Sequence, residues 1–441
     1  MSIVVIGSGI NERVAAHVLR NKGLKLTSIA EHHNSVHGVG WAPSLGLDIA
    51  TRHADPWIAA PLEGGGTLEL SRDMARSVEA IRRLSVRDAA KWPEFCERMA
   101  RVARLLERIY TSPAPREVDP RFALRIRLAG RRAMQDFLRL LPMSVADLLD
   151  DWFESDALKG VLAAGAVMHL CQGPRSGGTA FGLLHHHVGN PPGVFRPPWY
   201  ELPPAGEERE ARLAHIGAKD GRVNAVVLEG GEEIAAQVVV SGLDPKRTLL
   251  ELVDPAWLDP EFARAVRNIR ARGAVARVTL ALDRPLDSPP LVVAPSLDYL
   301  ERAYDDAKYG RVSANPYLEV RFDKDRAQVH VQYVPYGTAD AAGIGEMVVR
   351  LLAAHLQGAS IVAREVLLPR DLERLEGWPQ GQAYHAELAL DQLLWMRPIG
   401  GWARYRTPIK GLYLCGPATH PGAGIAGASG YLCAREVLRR R

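Results

Sequence analysis

Cysteine is scarce in this sequence, and no two cysteines form a C-x-x-C pair. The chain has four cysteines among 441 residues, and they are too widely spaced to suggest a disulfide framework or a zinc knuckle. The Walker lysine motif, G-x-S-x-G and H-E-x-x-H are missing as well. Their absence excludes the usual phosphotransfer and hydrolase sites.

Long apolar runs and a large net charge are also lacking. The longest apolar stretch, residues 160–174, contains His169 and Gln172 and is shorter than the ~20 residues that a membrane-spanning helix needs. The 55 basic and 51 acidic side chains leave a formal net charge of +4, so we expect no wrapping of nucleic acid. Because the apolar run Ile3–Ile6 almost directly follows the initiator methionine, we expect no secretory signal and a cytoplasmic protein.

The length predicts at least two packed units. Residues 3–31 follow a strand, helix, strand pattern with a glycine turn after the first strand. Further along, the chain is mostly helical, then β-rich, and it ends in a strand, a glycine-rich turn and a helix. This order predicts a nucleotide-binding sheet built from both ends and the middle of the chain, with a second domain inserted twice. We assign residues 1–75, 205–250 and 395–441 to the nucleotide-binding domain, and residues 76–204 and 251–394 to a substrate or helical cap domain.

The first glycine turn, residues 7–12, reads G-S-G-I-N-E. Gly7 allows the tight turn and Gly9 lets the backbone approach a pyrophosphate at a helix N-terminus, while Glu31 can accept ribose hydroxyls at the end of the second strand. Glu12 stands where a dinucleotide fingerprint has its third glycine. A carboxylate there repels a diphosphate unless a cation such as Arg13 compensates. The motif alone fits two interpretations: a working cofactor site, or a turn that is inherited without binding a cofactor.

The C-terminal block, residues 412–430, is a strand that opens into a glycine-rich turn and then a helix. Such a turn places bare backbone and a helix N-terminus against a bulky, electron-rich group. A glycine-rich seam between packed helices is the alternative interpretation.

This block resembles the C-terminal flavin-contacting signature of the phytoene desaturase-like FAD-dependent oxidoreductases. The similarity is greatest to the branch named for pyridine nucleotide-disulfide oxidoreductase domain-containing proteins. Further matching segments are Val238–Thr248, Arg397-Pro398, Tyr405–Ile409, Phe153–Asp156, Gly178–Ala180 and His185-His186.

The resemblance implies an α/β fold: a Rossmann-like FAD-binding domain of the amine oxidase or phytoene desaturase type, with an inserted α+β substrate domain. It implies FAD as cofactor and hydride removal from a hydrophobic small molecule. It places the pyrophosphate and ribose on Gly7, Ser8, Gly9 and Glu31, and the other end of FAD on Gly416, Ala423, Gly424 and Ile425. The candidate catalytic residues are His385, Tyr405 and His420, which share the isoalloxazine or substrate side with Glu387 and Gln392.

Three departures from the family pattern concern the FAD side of the site. Besides Glu12, paired glycines are replaced by His37-Gly38 in a segment shortened up to Trp57, and a Gly-Gly-Met-Gly-like turn is replaced by residues 194–210. These departures motivate an alternative function: a flavin-free relative that serves as a partner or scaffold of a biosynthetic enzyme.

Two further patterns leave interactions open. Residues 101–132 hold nine arginines against three acidic residues among apolar side chains, which fits either an anionic membrane surface or a solvated helix face. His185–His187 are consecutive, and His32, His33 and His37 are clustered. Because adjacent side chains point apart, we predict no metal site from the consecutive histidines.

Overall fold

The computed structural model describes residues 2–32, 37–45, 48–116, 119–128, 130–202 and 207–439. Within them the strands are β1 Ile3–Ile6, β2 Leu26–Ala30, β3 His37–Val39, β4 Thr51–Arg52, β5 Ile58–Pro61, β6 Thr67–Leu70, β7 Trp199–Glu201, β8 Glu208–Glu210, β9 Leu213–Lys219, β10 Arg222–Leu228, β11 Glu233–Ala235, β12 Val238–Ser241, β13 Val275–Leu282, β14 Leu291–Val293, β15 Leu318–Asp323, β16 Arg326–Gln332, β17 Ile361–Leu367 and β18 Leu412–Leu414.

The helices are α1 Ile10–Arg20, α2 Met74–Arg82, α3 Val86–Tyr110, α4 Pro120–Leu128, α5 Arg131–Leu140, α6 Val145–Trp152, α7 Asp156–Val167, α8 Thr179–His187, α9 Pro260–Arg267, α10 Leu297–Lys308, α11 Ala341–Leu352, α12 Pro369–Glu376 and α13 Ala428–Arg439.

A five-stranded parallel sheet in the order β18-β12-β1-β2-β8 forms the first domain. Its central strands β1 and β12 are apolar and fully buried because both faces are covered. Ile3 and Val5 pack on the side of α1 and α13, whereas Val4 and Ile6 pack against the β9–β11 meander. The predicted assembly from both chain ends and the middle is therefore observed.

A second, seven-stranded sheet has the order β17-β13-β16-β15-β14-β5-β6 and is mostly antiparallel. Its strand β14 pairs with β5 through Leu291 and Ala59. The predicted boundary at residue 75 therefore needs correction, since β5 and β6 pair with the sheet of the inserted domain. Strand pairing over more than 200 residues of sequence leaves no local signal in the chain.

Helices α2–α8 form a separate layer beside the second sheet. The longest, α3, begins after Ser85, whose side chain accepts a hydrogen bond from the Asp88 backbone N–H. Its apolar face carries Trp92 and Phe95, both fully buried and in aromatic contact with Phe153. The predicted helical excursion is confirmed. None of the helices in the described ranges is long and apolar enough to cross a membrane.

Candidate active site

A cavity of about 250 Å³ separates the carboxyl ends of the parallel strands from the second sheet. At one end it is lined by the β1–α1 turn, residues 7–12, and at the other by residues of β13 and β16. Residues 422–426 run along its wall. Ligands of open parallel sheets bind in this position, beyond the carboxyl ends of the strands.

The β1–α1 turn is built for close approach of an anion. Gly7 has a φ of +110°, which only glycine adopts without strain. Gly9 is the N-cap of α1 and offers no side-chain cap, so the first amides of the helix must find an acceptor other than an N-cap side chain. Ser8 donates its hydroxyl proton to the carbonyl oxygen of His32 at 2.9 Å, which ties the turn to the end of β2.

Glu12 is buried in this turn, with 4% of its surface exposed. A Cβ atom on Gly7 would lie 2.9 Å from the Glu12 Cγ, and one on Gly242 would lie 1.5 Å from the Glu12 Oε1. The carboxyl group therefore fills the space between the ends of β1 and β12. Burial raises the pKa of Glu12 to about 7, while the backbone N–H groups of Glu12 itself and of Gly9 stabilise the ionised form.

Arg13, the cation that could compensate Glu12, is directed elsewhere. Its Nε donates to the carbonyl oxygen of Ser8 at 3.0 Å and lies 3.4 Å from the Glu208 carboxylate. It lowers the pKa of Glu12 less than burial raises it. The tertiary structure thus does not pair the Glu12 carboxyl group with the neighbouring arginine.

Glu31 follows β2 directly, at the predicted position, and its side chain is 3% exposed. Its Oε1 accepts hydrogen bonds from Arg247 Nη2 at 2.7 Å and from the Leu213 N–H at 3.3 Å. Its Oε2 is buried without a hydrogen-bond partner among the described residues. Glu31 lies beside the cavity rather than on its wall, and its predicted bond to a ribose stays a prediction.

The glycine-rich segment after β18 has Ala423, Gly424 and Ile425 on the cavity wall. The Trp41 N–H donates to the Gly424 carbonyl oxygen at 2.9 Å, and His185 Nε2 lies 2.7 Å from the Ala423 carbonyl oxygen. Gly416 contacts the β12 end instead, because a Cβ there would lie 2.3 Å from the Gly242 carbonyl oxygen. Gly416 is not on the cavity wall.

The three predicted catalytic residues occupy different places. His385 lines the cavity, and burial lowers its pKa to about 3. The Tyr405 hydroxyl donates to the His420 carbonyl oxygen at 3.0 Å, and His420 Nε2 lies 3.1 Å from the Ser112 carbonyl oxygen. Tyr405 and His420 are buried behind the glycine-rich segment and are not on the cavity wall. Their side chains bind backbone carbonyl oxygens, as those of structural residues do. Their catalytic roles stay predictions.

Glu387 and Gln392 also lie away from the cavity wall. Glu387 is buried and pairs with Arg272 at 2.7 Å, and Gln392 accepts a hydrogen bond from the Arg270 N–H at 2.6 Å. They connect the segment before Arg397 to the start of β13.

The cavity contains polar residues that the sequence analysis missed. His330 of β16 stands opposite Arg277 of β13 in the sheet register, and His169 lies against His330 with ring centroids 5.1 Å apart. Arg277 Nη2 pairs with Glu376 at 2.8 Å. The available signal was the alternation of polar with apolar residues in both strands, but only the strand register brings Arg277 and His330 together.

The three consecutive histidines of α8 interact with three different partners. His185 Nδ1 contacts the Tyr110 hydroxyl at 2.8 Å, whereas His186 Nδ1 and His187 Nδ1 contact the carbonyl oxygens of Gly165 and Val194, each at 2.7 Å. In the described parts of the chain, no group of three or more His, Cys, Asp or Glu side chains could hold a metal ion. His33 and the His37 side chain lie outside the described residues.

Comparison with known proteins decides the family. A model of the family described as flavin containing amine oxidoreductase matches residues 208–438, which is more than half of the chain. The chain belongs to this family. The predicted FAD cofactor and the predicted oxidoreductase class are thereby confirmed.

Sequence relatives agree with this assignment. This chain is 28% identical over 541 residues to the pyridine nucleotide-disulfide oxidoreductase domain-containing protein 2 of Rattus norvegicus, covering 99% of this chain and 93% of that protein. The alignment is 100 residues longer than this chain, so the rat protein has segments that this chain lacks. A limonene dehydrogenase component of Castellaniella defragrans is 32% identical over 121 residues, 26% of this chain and 22% of that one.

Solved structures confirm the fold. A triple mutant of putrescine oxidase superposes with a TM-score of 0.62 at 13% identity over 100% of this chain and 99% of that one. Cyclohexylamine oxidase from Brevibacterium oxydans superposes with a TM-score of 0.54 at 13% identity, over 100% and 98% of the two chains. The predicted two-domain α/β architecture of FAD-dependent oxidases is therefore the fold of this chain.

The residues present fit the adenosine diphosphate half of FAD apart from one group. The N-terminus of α1, which has no side-chain cap, can receive an anion. The buried Glu31 Oε2, which has no hydrogen-bond partner among the described residues, can accept a hydrogen bond from a hydroxyl. The exception is the Glu12 carboxyl group, which lines the same end of the cavity.

Proposed function

We propose that this protein is an FAD-dependent oxidoreductase that removes a hydride from a hydrophobic organic substrate beside Ala423–Ile425. The observation that carries this proposal is the continuous cavity, which joins the β1–α1 turn to the second sheet. One end offers bare backbone and a helix N-terminus, and the other offers side chains of a separate domain. Gly7, Ser8, Gly9 and Glu31 would hold the nucleotide end of the cofactor.

A bound FAD supplies the acceptor for two electrons, so the chain needs no catalytic triad of its own. The walls of the substrate end include Met168, Trp199 and Trp378, which exclude water and favour an apolar body. Among the cavity-lining residues described at this end, the charged side chains Arg277 and Glu376 pair with each other. A largely apolar, uncharged substrate suits these walls.

His385, His169 and His330 provide uncharged polar groups at this end. Burial lowers the pKa of His169 to about 4 and of His385 and His330 to about 3, so all three imidazoles are neutral at neutral pH. A neutral imidazole can orient a hydroxyl or amine group of a substrate, or accept its proton, without adding charge to an apolar cavity.

The test is anaerobic reduction of the FAD-loaded protein by a panel of apolar amines, alcohols and unsaturated hydrocarbons. We expect the visible flavin absorbance to bleach with at least one apolar compound and not with its charged analogue. Ala383→Phe should keep FAD but raise the concentration for half-reduction at least about tenfold, because it fills the substrate end. Ala75→Phe on the exposed face of α2 is the matched control. Bleaching by the charged analogues alone would contradict the proposal.

A second proposal concerns peripheral contact with a membrane surface, through which an apolar substrate could be delivered. Leu124 and Leu128 are four residues apart on α4 and are 53% and 73% exposed. Arg127, Arg131 and Arg132 are exposed beside them. Exposed leucines flanked by arginines suit an interface with anionic lipid.

A partner or scaffold role remains the proposal to adopt if the purified protein neither contains FAD nor takes it up. The observation that favours it is the Glu12 carboxyl group at the diphosphate end of the cavity.

A further inference from the structure

The Glu12 carboxyl group lies on the part of the chain that normally receives an external anion. It is enclosed by Gly7 at the end of β1, Gly242 at the end of β12 and Cys415 after β18, whose Sγ is 3.9 Å from Glu12 Oε1. These are three adjacent parallel strands of the sheet. Their carboxyl ends and the N-terminus of α1 together make the positive, small-residue crevice that suits a phosphate group.

The space occupied by this carboxyl group exists only because its neighbours lack side chains. An alanine at position 242 would place its Cβ 1.5 Å from Oε1, and one at position 7 would contact the Glu12 Cγ at 2.9 Å. The backbone N–H groups of Gly9 and Glu12 stabilise the ionised carboxyl group. Glu12 thus uses the backbone donors that a diphosphate would use.

We infer that the ionised Glu12 carboxylate competes with the diphosphate of FAD for the first turn of α1, which makes Glu12 a determinant of cofactor affinity. The inference rests on the flavin cofactor of the family and on no property of the substrate. A neutral Glu12 can donate a hydrogen bond to a phosphate oxygen, whereas an ionised one repels it. Binding of the diphosphate is therefore accompanied by proton uptake.

The groups around Glu12 set the pH range of this competition. Glu208 on β8 raises the pKa of Glu12 and Arg13 on α1 lowers it. Tyr200 on β7, Cys415 after β18 and Cys433 on α13 also face it, and burial raises the pKa of each of them, so they stay uncharged. With the pKa of Glu12 at about 7, the competing carboxylate forms between neutral and mildly alkaline pH.

The experiment measures the dissociation constant of FAD for the apoprotein by quenching of flavin fluorescence, from mildly acidic to mildly alkaline pH. In the wild type we expect affinity to fall by up to about tenfold per pH unit above the pKa of Glu12. Glu12→Gln keeps the shape and removes the charge, so it should abolish this pH dependence and bind FAD about tenfold more tightly at about pH 8. Glu12→Gly should also bind FAD more tightly and with less dependence on pH.

Riboflavin, which lacks the diphosphate, is the matched probe. Its affinity should differ little between wild type and Glu12→Gln at either pH. Urea unfolding of both variants checks that they fold. If Glu12→Gln does not fold, the dissociation constant of FAD is measured on Glu12→Gly instead.

An unchanged affinity and pH profile in Glu12→Gln would overturn the inference, as would equal effects on riboflavin and FAD. These binding results need no substrate. A failed substrate screen with normal FAD binding would therefore count against the proposed reaction alone.

Discussion

At the scale of single residues, Glu12 and Gly242 depend on each other although they are 230 residues apart. Gly242 does not have a positive φ, and the atoms nearest to a Cβ at this position all belong to the Glu12 side chain. A sequence fingerprint treats position 12 as a missing glycine. The structure shows instead that the chain accommodates a carboxyl group by keeping glycine opposite it.

This dependence predicts a coupled pair of substitutions. Gly242→Ala should lower the free energy of unfolding by roughly 1–3 kcal/mol, because the new methyl group overlaps Glu12. In a Glu12→Ala background the same change should cost less than about 0.5 kcal/mol. Urea unfolding of the four proteins measures the coupling, with Gly230→Ala, which has open space around it, as control. If the losses in free energy of unfolding of the two single variants simply add in the double variant, the methyl group at position 242 does not overlap the Glu12 side chain.

Arg397 is a second residue whose role is visible only in the folded chain. It is fully buried, and its guanidinium donates to five carbonyl oxygens, those of Tyr384, Ala386, Glu387, Gln392 and Pro417. Burial lowers its pKa to about 10, so it is charged at neutral pH. It joins the segment that carries His385 to the turn after β18.

Arg397→Lys should therefore lower the free energy of unfolding by about 3 kcal/mol or more, because one ammonium group cannot reach both sets of carbonyl oxygens. Differential scanning calorimetry or urea unfolding would measure the loss. Arg302→Lys on the exposed side of α10 serves as the control and should be nearly neutral. A stable Arg397→Lys protein would mean that the carbonyl oxygens find other donors.

At the scale of elements, α4 is the helix whose sequence pattern fitted either an anionic membrane surface or a solvated face. Its basic and apolar residues were compatible with a solvated face, yet Leu124 and Leu128 are both exposed on the folded protein. Exposed apolar side chains next to arginines distinguish this helix from an ordinary solvated one.

Flotation with anionic vesicles tests this element. We expect binding at low ionic strength that weakens with salt, because the arginines contribute through screened charges. Leu124→Ser together with Leu128→Ser should reduce binding strongly, whereas Val362→Ser on β17, which is 64% exposed, should not. Equal binding of both variants would show that α4 is not the contact.

Most elements were predictable because their signals are local. The strand, turn and helix at each chain end follow from apolar alternation and from glycines at fixed offsets. The assignment of β5 and β6 to the first domain needs correction, because β5 pairs with β14, which lies more than 200 residues later, and β6 pairs with β5. A short apolar strand has no feature that states which sheet it joins.

At the scale of the whole molecule, histidines of the interior and of the cavity wall set the acid limit of stability. Burial lowers the pKa values of seven of them, which are His169, His185, His186, His187, His330, His385 and His420. In the unfolded chain these histidines take up protons below about pH 6.5. In the folded chain His169, His185, His187 and His420 do so only near pH 4, and His330 and His385 only near pH 3. The free energy of unfolding therefore falls as the pH is lowered through this range.

Each such histidine contributes a slope of up to about 1.4 kcal/mol per pH unit. Urea unfolding at neutral pH and at about pH 5 would measure the total. His187→Gln, which keeps a polar side chain beside the Val194 carbonyl oxygen, should reduce the loss by about 2 kcal/mol. The same loss in the wild type and the variant would mean that His187 is protonated in the folded protein.

The sequence by itself determined the family, the cofactor class and the two-domain α/β architecture. Those properties depend on short motifs, on periodicity and on glycines whose conformation is a local matter. Only the tertiary structure decided which polar groups meet: His169 with His330, Arg277 with Glu376, and Glu12 with the ends of three strands. It also placed His385 on the cavity wall and Tyr405 and His420 behind it. Such contacts depend on strand register and on helix packing between residues far apart in the chain, and no local pattern encodes them.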